Sequence, residues 1–187
     1  MKNNRFGTAS LISDLEFSKI RKKIETPKYK ILLDLAWYTG ERWGALVQLQ
    51  INDVYDENIP REIITFRKNT RKGKISTRQI PIHPNLKEQL SNYAPKDPVW
   101  MFPNRDGSKH MTLRHAYNIF MTAVESAGLG GKGISTHSTR RSFITKLHSN
   151  GVSTFTISKI TGHKDLKSLS HYVEVDDDFM KNAIFAL

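Results

Sequence analysis

The 187-residue chain has no cysteine. That excludes a disulfide framework, a thiolate zinc site and a cysteine nucleophile, and it suits a reducing compartment. Long apolar runs are also missing. The start, Met1-Lys2-Asn3-Asn4-Arg5-Phe6, lacks the apolar core of a signal peptide, and no stretch approaches the length of a membrane span. A soluble cytoplasmic protein without a membrane partner is the expectation. Acidic residues are in deficit, 18 against 29 Lys and Arg, so the formal net charge is +11. Such an excess favours a polyanionic partner, for which nucleic acid is the natural candidate. Internal repeats and low-complexity segments are absent, and the length suffices for one domain with its own core.

What is present alternates helix signals with one β-rich interval. Residues 1–11 are polar and read as a tail or linker. Ser13-Asp14-Leu15-Glu16 has the form of a capping box, with Ile12 and Phe17 placed as a hydrophobic staple, and predicts a helix from Asp14 to about Glu25. A second helix, from about Lys28 to Thr39, follows Pro27 and carries Ile31, Leu32, Leu35 and Ala36 on one face. Glu62–Phe66 and Thr77–Ile82 read as strands joined by the basic turn Lys68–Lys74. Further on, Leu86 and Leu90 mark a short helix, Val99–Phe102 a buried extended stretch and Asn104–Gly107 a turn. Thr112 to about Ala127 reads as a helix with Ala116, Ile119, Phe120 and Val124 buried. The fold class predicted is mainly α with a small antiparallel β-sheet.

The chemistry centres on Thr136-His137-Ser138-Thr139-Arg140. Ser135 and Thr136 are N-cap types and Gly151 is a C′ type, giving a helix to about Ser149-Asn150. Phe143, Ile144 and Leu147 form its apolar stripe, and stepping back from Ile144 lands on Arg140 and then His137. Arg141 points elsewhere, toward solvent. A guanidinium on a buried face calls for an anion, either a ligand or an internal Asp or Glu. Arg42 has the same peculiarity. It follows Thr39-Gly40, where Gly40 closes one helix, and opens another whose apolar positions are Ala45, Leu46 and Leu49. After Gly151, Ser153 caps a helix that Gly162 ends just before His163, and Asp165 is placed to cap a last short helix leading to Tyr172.

In order, Thr39-Gly40-Glu41-Arg42, His137-Ser138-Thr139-Arg140, Gly162-His163 and Tyr172 resemble the catalytic signature of the tyrosine recombinases, the phage-integrase family. Arg140 and His163 are 23 residues apart, and His163 and Tyr172 nine. Two departures stand out: Ala45 where members usually carry an acidic residue, with Glu41 as a possible substitute for orienting Arg42, and Thr139 where they usually carry Leu. The resemblance implies the DNA breaking-and-rejoining catalytic fold over 12–172, double-stranded DNA as substrate, and no metal or high-energy cofactor. It implies Tyr172 as nucleophile forming a 3′-phosphotyrosine ester, Arg42 and Arg140 as holders of the phosphate oxygens, and His137 as acceptor of the tyrosine proton. His163 is implied as a phosphate hydrogen-bond donor. A hairpin lysine would protonate the leaving 5′-oxygen, with Lys72 the best match, then Lys74, then Lys68. The stripe pattern by itself supports only His137, Arg140 and Arg42.

From Arg61 to Arg78 the hairpin region holds seven basic residues and one acidic. It reads either as a solvated edge that discourages aggregation or as a finger along a phosphate backbone, the overall basicity favouring the second. Arg67, Lys68, Arg71, Lys74, Arg78 and, from the later helix, Arg141 are the candidate DNA contacts. A type IB topoisomerase and a DNA-binding module without activity are the competing readings. The family usually places a DNA-binding domain ahead of the catalytic one, so the chain is expected to be either a fragment of a longer integrase or a short recombinase of the kind that acts in DNA inversion. Residues 173–187, acidic and then apolar through Phe179, Met180, Ala183, Ile184 and Phe185, form a tail that either folds back or docks on a neighbour in a tetramer.

Overall fold

The computed structural model describes residues 9–70, 76–163, 169 and 185. They fall in two compact units, Met1–Phe143 and Ile144–Leu187. Arg71, Lys72, Lys74, Tyr172 and, apart from Leu169, the helix expected from Asp165 lie outside the described residues.

In the first unit, helix α1 (Asp14–Lys22) begins at the expected capping box, Ser13 Oγ accepting from Glu16 N while the Glu16 carboxylate accepts from Ser13 N. It ends three residues earlier than expected. Helix α2 (Pro27–Thr39) is the centre of the unit. The sequence pattern assigns it one buried face, but Leu33 and Trp37 are buried as well, so apolar side chains are covered nearly all round. Such a helix needs neighbours on several sides, and α5 (Pro84–Ser91) and α6 (Leu113–Ser126) pack against it. Asp34, also buried there, is held by Arg21, with Nε–Oδ1 at 2.6 Å; burial nonetheless raises the Asp34 pKa.

The helix expected after Arg42 is a single turn, α3 (Trp43–Leu46). Backbone pairing stops it: Ile51 N donates to Val99 O at 2.9 Å and Met101 N to Leu49 O at 3.0 Å. Gln50 then caps another one-turn helix, α4 (Ile51–Val54). The stretch 99–102 is not the continuous extended segment expected: Trp100 makes a single isolated bridge to Gln50 between bends, and only Met101 and Phe102 are fully buried. Strands β1 (Tyr55–Asp56) and β2 (Ile59–Pro60) make a small hairpin across Glu57 and Asn58, both at positive φ. The predicted hairpin is present as β3 (Ile63–Phe66) paired antiparallel with β4 (Arg78–Pro81), with Ile64 opposite Ile80 and Phe66 opposite Arg78. The chain from Ala9 on is anchored rather than free: Ser10 N donates to Gly133 O at 3.1 Å, and Ile12 N to Ser142 Oγ at 2.7 Å.

Helix α7 (Thr136–Ser149) begins in the first unit and continues into the second. In the second unit Gly151, at φ +77°, follows its end, and α8 (Thr154–Thr161) runs from the Ser153 cap to Gly162 at φ +70°. Ile144, Ile157 and Leu169 form the core of this unit, with Leu147 and Val152 against them. Among the described residues no helix is long and apolar enough to cross a membrane.

Candidate active site

Each residue of Thr39-Gly40-Glu41-Arg42 has a local task. The Thr39 hydroxyl donates to Leu35 O at 2.6 Å and accepts from Glu41 N at 3.2 Å, so it satisfies the last turn of α2 while turning the chain. Gly40 is required twice over. Its φ is +58°, and a Cβ there would stand 2.3 Å from Phe143 Cδ1. That close approach lets Gly40 O accept from Arg140 Nη1 at 2.8 Å. Arg42 follows as the residue before α3, half-exposed, its guanidinium without a hydrogen bond or ion pair among the described residues.

On the other side, Ser135 Oγ accepts from His137 N at 3.3 Å and Ser138 Oγ accepts from Ser135 N at 3.0 Å, a reciprocal cap that starts α7. Ser138 and Thr139 face inward. Arg140 is buried, at 5% exposure, as the apolar stripe predicts. His137 is not on the core face. It is exposed, because the first turn of α7 opens onto a cavity rather than a wall.

That cavity, of about 400 Å³, is lined by Arg42, His137 and Arg140 together with Glu41, Thr70 and Leu113. Three of the six residues proposed for catalysis thus meet in one place. The anion beside Arg140 includes an internal one: Glu41 Oε1 lies 3.9 Å from Arg140 Nη1. Glu41, at 1% exposure, also accepts from Arg42 N at 2.7 Å and pairs with Arg78. Thr70, in the 3₁₀ turn Lys68–Thr70, brings the hairpin to the cavity wall just ahead of Arg71 and Lys72. Lys68 itself is exposed in that turn.

The basic residues proposed for DNA fare differently. Arg78, expected as a DNA contact, is instead buried at 6% exposure and paired with Glu41, so its guanidinium is turned inward. Arg67 donates to Gln48 O at 2.7 Å and lies 3.1 Å from Asp53, whose pKa burial raises. Arg141 does not point freely to solvent; its Nη1 donates to Ala9 O at 2.6 Å. In the second unit His163 Nδ1 is 2.6 Å from Thr161 Oγ1, directly after the Gly162 corner. Among the described residues no three His, Asp or Glu gather to hold a metal ion.

The sequence profile of the phage integrase family matches residues 13–178. The chain belongs to the phage integrase family. Among its relatives, tyrosine recombinase XerD of Rickettsia bellii is 25% identical over 171 residues, an alignment covering 86% of this chain and 56% of that protein. The chain spans about half the length of the curated relatives it matches. The catalytic domain of bacteriophage HP1 integrase superposes with a TM-score of 0.71 at 20% identity, covering 95% of this chain and 94% of that one. The XerH site-specific recombinase bound to its difH substrate superposes at 0.72 with 21% identity, covering 97% of this chain and 56% of that one. The fold is therefore that of the integrase catalytic domain.

Two pocket features were not anticipated. Trp43 Nε1 donates to Thr139 Oγ1 at 3.2 Å, so the threonine that departs from the family pattern meets the buried indole. The one signal in the sequence was Thr139 itself, a departure from the family pattern next to a site arginine. The role of Glu41 was half legible: the acid near Arg42 reaches Arg140 as well.

Proposed function

We propose that the chain is the catalytic part of a site-specific DNA recombinase, which cuts and rejoins double-stranded DNA through a 3′-phosphotyrosine intermediate. The observation that carries this is the convergence of Arg42, His137 and Arg140 on one cavity. Two guanidiniums there suit the non-bridging oxygens of a phosphodiester, and removal of one such contact typically lowers the rate by about 10²–10³. Tyr172 Oη forms the new bond to phosphorus as the bond to the 5′-oxygen breaks; the tyrosine proton passes to His137, and Lys72 protonates the departing oxygen. The ester conserves the bond energy, so a 5′-hydroxyl can reverse the step on another strand. His163 supplies a further hydrogen bond to the phosphate.

A nicked suicide substrate built from the protein's own genomic flanks, incubated with EDTA, tests this. A covalent protein–DNA adduct is expected, and Tyr172→Phe should not form it. Loss of the adduct with chelator, or its persistence in the phenylalanine variant, would overturn the assignment. Relaxation of supercoiled DNA without a recombination site would favour a topoisomerase instead.

The same reading includes self-association on DNA as a tetramer, with residues after Asp178 docking on a neighbour. The 83% exposure of Phe185 supports a partner outside the chain's own fold. Truncation after Asp178 should spare thermal stability and single-site binding while removing the synaptic complex; a clear fall in stability would favour a fold-back tail.

A further inference from the structure

We propose that Glu41 is the positioning residue of the site, holding Arg140 and the entry of α3 in one geometry through a single buried carboxylate. This rests on the proposed oxyanion role of the two arginines and adds to it a residue outside the six proposed for catalysis. Glu41 is nearly inaccessible, so its charge is tolerable only against cationic and N–H partners. It has three. Oε1 accepts from Arg42 N at 2.7 Å, fixing the backbone from which the Arg42 side chain leaves. The same oxygen lies 3.9 Å from Arg140 Nη1, the atom that Gly40 O also holds at 2.8 Å. Oε2 pairs with Arg78 of β4, the strand that returns from the basic turn.

One carboxylate therefore joins α3, α7 and the hairpin, the elements that present Arg42, Arg140 and the candidate lysines. Arg140 Nη1 sits between two oxygens, which restricts rotation of the guanidinium and leaves its place at the cavity wall defined before any phosphate arrives. Preorganisation of this kind is what makes an oxyanion contact effective.

The alternative role is mere charge compensation, and the two differ in sign. Removing a counter-charge makes the cavity more positive and tightens anion binding, whereas removing a brace loosens it. Inorganic phosphate, titrated into the full chain and followed by ³¹P line broadening, is the probe. Wild type should bind it, and Arg140→Ala and Arg42→Ala should each lose it. Glu41→Gln should weaken binding about tenfold despite its added positive charge, the scale of one lost charge-assisted hydrogen bond. Binding by Glu41→Gln as tight as wild type or tighter would overturn the positioning role. Unchanged binding in both arginine variants would overturn the oxyanion reading instead. Glu41→Asp keeps the charge but withdraws it by one methylene, so it tests the same point should the glutamine variant fail to fold: weaker phosphate binding supports the brace, and unchanged binding refutes it.

Discussion

Trp43 Nε1 donates to Thr139 Oγ1 across 3.2 Å, and each of the two is the chain neighbour of a site arginine, Arg42 or Arg140. Both are buried, so the contact is sheltered from water. Thr139→Val keeps the shape and removes the acceptor, leaving the indole N–H unsatisfied; it should cost about 1–3 kcal/mol in denaturant unfolding. Trp43→Phe in the Thr139→Val background should add less destabilisation than in wild type, and a double-mutant cycle reads the coupling. Strict additivity would show that the contact contributes nothing.

Gly40 is expected to tolerate no side chain. Alanine there meets both the positive φ and Phe143, so Gly40→Ala should destabilise by about 2–4 kcal/mol. Phe143→Ala in that background should recover the steric share and leave the backbone share. Thermal melts of the single and double variants separate the two.

The proposed leaving-group role of a hairpin lysine can be tested by chemical rescue. Thr70 lines the cavity, and Lys72, two residues on, can be at most about 7 Å further along the chain. A 5′-phosphorothiolate substrate, whose sulfur departs without protonation, should restore cleavage to Lys72→Ala. Rescue of Lys74→Ala or Lys68→Ala alone would move the role along the turn.

Acid sensitivity should include a contribution from Glu16. Its hydrogen bond with Lys132, followed by that from Ser13 N, lowers its pKa from the ordinary value of 4.5. A folded-state pKa below the unfolded one gives stability that is present above the unfolded pKa and is lost as pH falls through the folded one. Glu16→Gln should therefore lower stability at pH 7, by about 1 kcal/mol or less for so solvated a pair, and the gap from wild type should close under acid. Thermal denaturation at both pH values checks this.

Local signals were the legible ones. The Ser13 and Ser153 caps and the Gly40, Gly151 and Gly162 ends all sit where residue type alone decides backbone geometry, and the structure has them at those positions. The hairpin and Arg140 were legible through periodicity. His137 was misplaced because a helical wheel says which residues share a face, not where along the helix the core gives out. Arg78 could have been read inward, since it alternates with Ile80 and Ile82, but its charge in a basic run argued for the surface. The shortness of α3 depends on pairing with residues 99–101, some fifty positions away, which no local pattern carries.

The register of β3 on β4 places Arg78 opposite Phe66 and turns it to Glu41. A slip of one residue would swing Arg78 outward and bring Gln79 in, stripping a buried carboxylate of its paired guanidinium. The cavity thus acts as a proofreader of its own hairpin: a chain that pairs its strands wrongly is penalised at the arginine site. On the proposed function, a chain misregistered there would lose the support of its arginine site by the same error.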